Sequence, residues 1–91
     1  MQLTIEQALR LAKEAQGEGR LGRAEALYKL ILRSQPGNAT AVYNLGIIAV
    51  AVGKNAIALP LLKSAVELAP QTKDFWLSYI DALIKEKQFE L

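Results

Sequence analysis

Gly17-Glu18-Gly19-Arg20-Leu21-Gly22 spells G-x-G-x-x-G, the spacing that in a dinucleotide-binding domain lets a pyrophosphate approach the backbone at a helix N-terminus. That chemistry needs a strand before the glycines and an acidic residue about twenty positions later. Here a helical pattern precedes them and the later region holds Ala41, Val42 and Tyr43, so the glycines read as a turn between helices. Asp74 and Asp81 fall two turns apart on one helix face, too far for a coupled acid–base pair. Asp74 suits first-turn dipole compensation and Asp81 a solvated position. The chain has no Cys and no His, which removes thiol nucleophiles, imidazole bases, disulfides and the usual zinc sites. No catalytic residue, metal or cofactor is expected.

What remains is a surface, and the composition narrows its kind. A net charge of +2 comes from basic residues spread along the chain among nearly as many acids, whereas a nucleic-acid footprint is a clustered stripe. The apolar run 41–52 is interrupted by Asn44 and falls well short of the roughly 20 residues that span a bilayer. The N-terminus lacks a basic region followed by an apolar one. The expectation is a cytoplasmic protein with no nucleic-acid or membrane partner, and the sequon at Asn38-Ala39-Thr40 is then idle. At 91 residues the chain makes a single domain, 1–91, whose lone core is marginal without neighbours or a partner.

The elements that must build such a surface are helices. Thr4 and Gln7 form a capping box opening a first helix that runs to about Gln16. Gly17, Gly19 and Gly22 break it, and a second helix runs from about Arg23 to Ser34. Gln35-Pro36-Gly37 stops that helix and Asn38 caps the next. The stretch 39–52 is apolar on nearly every side, so neighbouring helices must cover it on several faces. It ends at Gly53. A fourth helix covers about 55–69; if Asn55 is its cap, Pro60 lies just past the first turn and predicts a bend or a later start. A fifth runs from Lys73 to about Glu86, with Trp76, Tyr79, Ile80 and Leu83 as its buried stripe. No stretch alternates as a strand does.

Laying 5–38 over 39–72 pairs Leu11 with Leu45, Ala15 with Ala49, Gly19 with Gly53, Ala24 with Ala58, Leu27 with Leu61 and Pro36 with Pro70. The step from 5 to 39 is the period of the chain. Each unit is a helix pair that cannot bury its own apolar face, so the units must stack. The second unit reads Val42-x2-Leu45-Gly46-x2-Ala49, then Ala58-x3-Leu62, then Pro70; the first reads Ala8-x2-Leu11-Ala12-x2-Ala15, then Ala24-x3-Tyr28, then Pro36. A third begins Trp76-x2-Tyr79-Ile80-x2-Leu83. In this pattern the chain resembles the tetratricopeptide repeat (TPR) family, over essentially everything from Ile5 onward. Ala8 and Val42 stand at the aromatic positions of the first two units, and Lys87 stands where the third unit's turn glycine belongs. The RNA-reading pentatricopeptide family is disfavoured by the proline stops and small-residue pattern.

The resemblance implies an all-α, right-handed α-solenoid of antiparallel helix pairs, five helices in about two and a half repeats: repeat one 5–38, repeat two 39–72, incomplete repeat three 73–91. It also implies that the first helix of each pair lines a concave groove where ligands lie. The register then sets Leu9, Tyr43 and Leu77 in one row, Lys13, Ile47 and Asp81 in another, Gln16, Val50 and Ile84 in a third, and Arg10, Asn44 and Ser78 in a fourth. Tyr43, Ile47 and Val50 are expected to hold an apolar anchor of a protein or peptide partner, with Asn44 offering a donor and an acceptor to its backbone. The opposing expectation is that neighbouring helices or a second copy cover these residues. Asn44 matches one position of the carboxylate clamp found in some members, but Leu9, Lys13, Asp74 and Ser78 hold the others, so a chaperone-tail receptor is not expected. The function expected is a non-enzymatic interaction module that binds a peptide or a second copy of itself. Homo-oligomerisation through the C-terminal helix is one form, because Phe75, Tyr79 and Phe89 are expected to stay uncovered on an unfinished end. The alternative is the substrate-recruiting N-terminal part of a longer transferase, a combination found in bacterial proteins that resemble this family.

Overall fold

The computed structural model describes residues 3–89, as five helices and no strand among them. They are α1 (Ile5–Gly17), α2 (Leu21–Ser34), α3 (Ala39–Ala51), α4 (Asn55–Leu68) and α5 (Lys73–Phe89). α1 packs on α2 and α3 on α4; α2 also packs on α3 and α4 on α5, with a smaller contact between α3 and α5. The result is an elongated stack, 51 × 27 × 19 Å.

Local chemistry accounts for the ends of the helices. The Thr4 hydroxyl accepts from the Gln7 amide at 3.1 Å while the Thr4 amide donates to Gln7 Oε1 at 2.9 Å, so the expected capping box satisfies two otherwise orphaned donors. Asn38 Oδ1 accepts from the Ala41 amide at 3.0 Å and starts α3. The turns α1–α2 and α3–α4 are twins. Gly19 and Gly53 each have φ of 79°. Arg20 N donates to Ala15 O and Lys54 N to Ala49 O, both at 2.8 Å. These are the 6→1 bonds of a Schellman motif, which needs a left-handed residue and therefore favours glycine.

That geometry corrects the reading of the first turn. One left-handed residue suffices, so Gly17 ends α1, Gly22 lies inside α2, and α2 begins at Leu21 rather than Arg23. By the same motif α3 ends at Ala51, just before the turn that Gly53 closes. Asn55 is not a cap: Lys54 holds that place without a side-chain bond. The Asn55 side chain instead donates to Ala82 O at 3.2 Å and to Glu86 Oε2 at 3.0 Å, tying the start of α4 to α5. Pro60 lies inside α4, which does not start late.

Small residues let the helices approach and large ones fill the space between. In the first pair Ala8, Ala12, Ala15 and Ala24 are buried around Tyr28 and Ile31, and α3 joins this cluster through Ala41, Leu45 and Ile48. Tyr28 is fully buried, its hydroxyl donates to Gln16 Oε1 at 2.7 Å, and burial pushes the phenol up to about 12. In the second cluster Ala49, Ala58, Leu62 and Ala82 are buried, with Tyr43, Ile47, Val50 and Tyr79 packed against them. Leu62 stands one period after Tyr28 and is as fully buried. α3 feeds both clusters, which is the sandwiching that its all-round apolar sequence demands.

Candidate functional site

The residues singled out for the groove lie on α1, α3 and α5. Tyr43 anchors the meeting of α3 with α5. Its ring stacks on Phe75 with centroids 4.2 Å apart, and its hydroxyl lies 2.7 Å from Ser78 Oγ. Ile47 and Val50 are half-buried against the second cluster. On α5, Leu77, Asp81 and Ile84 are exposed, and Asp81 pairs with Lys85 at 3.4 Å. An exposed pair one turn apart contributes little to stability.

Asn44 is half-buried and its Nδ2 donates to Thr40 O at 2.9 Å. On α1, Leu9 is half-buried while Arg10 and Lys13 are exposed; with Glu6 and Glu14 they line a shallow open depression. Gln16 is engaged by Tyr28. The α3 and α5 rows are therefore joined by direct contact, while no contact of that kind links the α1 residues to Tyr43. Ser78 stands in the Asn44 row of the expected groove, whereas Phe75 lies outside the rows, among the residues expected to stay uncovered. The repeat register could have found it, since it stands one period after Ala41.

α5 overturns two expectations. Its packed side is Phe75, Ser78, Tyr79 and Ala82, so Phe75 and Tyr79 are not left uncovered. Trp76, Ile80 and Leu83, expected in the buried stripe with Tyr79, are exposed. Their mean direction is about a third of a turn round the helix from the packed side. The wide apolar arc of α5 meets α3 and α4 on one flank only. The Phe89 side chain lies outside the described residues. Trp76 is held in place, its Nε1 donating to Pro70 O at 2.8 Å.

Among the described residues no group of three or more His, Cys, Asp or Glu could hold a metal ion. None of their helices is long and apolar enough to cross a membrane. The arrangement offers packing surface and hydrogen-bonding side chains.

Comparison with known proteins agrees with this architecture. No curated protein matches the sequence. Among solved structures, the solution NMR structure of a tetratricopeptide repeat domain protein from Salinibacter ruber superimposes with a TM-score of 0.73. It is 21% identical, and the match covers 96% of this chain and 90% of that one. A family model described as tetratricopeptide repeat matches residues 9–51 and again 45–91. Helix pairs stacked at a constant period, with twin glycine turns and a match over nearly the whole length, place this chain in the tetratricopeptide repeat family.

Proposed function

We propose that this chain is a non-enzymatic interaction module that holds an extended peptide segment along the first-helix side of the stack, with an apolar side chain seated over Tyr43, Ile47 and Val50. Repeats of this family generally mediate protein–protein contacts, and the finer reading rests on one observation. The Tyr43–Ser78 and Tyr43–Phe75 contacts fix the half-buried apolar row of α3 against α5, making a rigid apolar floor. Rigid aromatic and aliphatic anchors with little side-chain entropy to lose are what concentrates binding energy at an interface. Asn44 supports the same reading, because its carbonyl oxygen is left to accept from a peptide amide.

The test is selection of peptides from a displayed random library on the whole chain, followed by titration of the winners against variants. Tyr43→Ala and Ile47→Asp are each expected to weaken binding at least ~10-fold, the size of a hot-spot loss, while circular dichroism stays helical. Winners that bind both variants as tightly as the parent would place the ligand elsewhere and end this reading.

A further inference from the structure

Half of the large hydrophobic side chains left exposed among the described residues sit on one helix. Trp76, Leu77, Ile80, Leu83 and Ile84 on α5 are each between 39% and 55% exposed. Together they present on the order of 500 Å² of apolar surface, the upper end of what a monomer's largest patch reaches. We propose that the chain self-associates through this outer face of α5, two copies meeting about a twofold axis with their α5 helices antiparallel and crossing at Ile80.

Three observations favour a second copy over other occupants. The five residues fall at −4, −3, 0, +3 and +4 from Ile80. An antiparallel pairing therefore sets Trp76 against Ile84 and Leu77 against Leu83 on both sides of an Ile80–Ile80 contact, the self-complementarity that an isologous interface requires. The face is also ill suited to a covering helix seated as α4 is seated on α3. Ile80 stands one period after Gly46, where an added Cβ would lie 2.8 Å from Leu62 Cδ2, so a helix that close would collide with the isoleucine. Head-to-tail stacking of copies fails too. α1 carries Gln7 and Glu14 where α3 carries Ala41 and Ile48, and covering that side of α1 with hydrocarbon would bury a carboxylate. An α5–α5 pair buries less than the roughly 800 Å² per partner of a standard interface in its apolar centre alone. The dimer is accordingly concentration-dependent.

The pairing also juxtaposes like charges, Lys73 of one copy with Lys87 of the other, both exposed and outside any ion pair among the described residues. Salt screens that repulsion, so association tightens as ionic strength rises. The inference extends the interaction-module reading to a second face, the outer side of α5, away from the flank that meets Tyr43.

Sedimentation equilibrium from the low micromolar to the millimolar range tests it. The mass should rise from one chain to two, and emission from the single Trp76 should shift to the blue with it. Ile80→Asp, which sets two carboxylates face to face on the axis, should raise the dimer dissociation constant at least ~100-fold. Ile57→Asp, an equally exposed position on α4, should leave it unchanged, with circular dichroism verifying that both variants fold. A monomer at every concentration, a dimer untouched by Ile80→Asp, or one that weakens with added salt would overturn the proposal. Titrating both the parent chain and Ile80→Asp with a library-selected peptide keeps the two readings apart: a parent that stays monomeric yet binds peptide refutes the dimer and spares the groove, whereas a dimer broken by Ile80→Asp with no peptide bound by either protein does the reverse.

Discussion

α3 and α5 are first helices of successive units, one period out of step; α3 is apolar nearly all round and α5 over a wide arc. α3 has neighbours on three sides: α2 at Ala41, Leu45 and Ile48, α4 at Gly46, and α5 at Tyr43. α5 has them on one flank, where Phe75, Tyr79 and Ala82 pack. Val42 is buried, and Trp76, which holds the same place in the period, is exposed. Burial in a stacked fold is thus a property of the neighbour as much as of the residue. An apolar helix is a demand for cover, and α5 shows that demand unmet within the described residues.

That contrast can be broken most forcefully in the core. Leu62→Ala removes a fully buried side chain from the seam that holds α3, α4 and α5 together, and should cost about 3 kcal/mol by lost burial and a residual cavity. Ile80→Ala, measured at dilutions where the chain is monomeric, should change stability by less than ~0.5 kcal/mol. Urea denaturation of the two variants side by side is the measurement. Similar losses would mean that the outer flank of α5 is covered after all.

The twin turns allow a finer comparison between the two helix pairs. Gly19→Ala and Gly53→Ala each place a Cβ on a left-handed residue with open space around it, so backbone strain alone sets the cost, about 1–2 kcal/mol apiece. The sites lie in separate turns, and the double variant should show the sum within a few tenths of a kcal/mol. Thermal unfolding of the four proteins checks this. A strongly unequal pair would mean that the two turns, alike in geometry, differ in how far they limit stability.

The smallest effect separates Tyr28 from its counterpart Leu62. A phenol pushed up to about 12 from its ordinary 10.0 by burial keeps its proton in the folded chain where the unfolded chain loses it. The stability it contributes is complete below pH 10 and is lost as pH rises towards 12. Tyr28→Phe should remove Tyr28's share of that alkaline loss, at a cost of about 1 kcal/mol at neutral pH for the Gln16 bond. Denaturation midpoints from mildly to strongly alkaline pH for both proteins decide it. An identical alkaline decline in the two would assign the effect to other groups.

The capping box at Thr4, the cap at Asn38 and the turns at Gly19 and Gly53 were all legible in the sequence, because each depends on residues within about six positions of one another. The errors share a cause. Asn55 has the chemistry of a cap, but its amide finds Ala82 O and Glu86 Oε2, partners far along the chain that no local rule can see. Gly22 looks like a breaker, but it follows a turn already closed by Gly19 and is carried into α2. In the groove, the adjacency of the Tyr43 and Ser78 rows follows from the period. The stacking of Tyr43 on Phe75 does not, since it depends on how closely α5 settles on α3.

Sequence by itself therefore determined the helices, the period at which they recur and the need for stacking, since apolar spacing and turn chemistry act over a few residues and repeat faithfully. Only the tertiary structure decided which side of each apolar helix is covered. On α5 the arc running from Phe75 through Trp76 to Leu77 is wide enough to meet neighbours in more than one direction, and the positions of α3 and α4 select the flank. That selection packs Tyr79 half-buried beside the buried Ala82 and leaves Trp76, Ile80 and Leu83 in water.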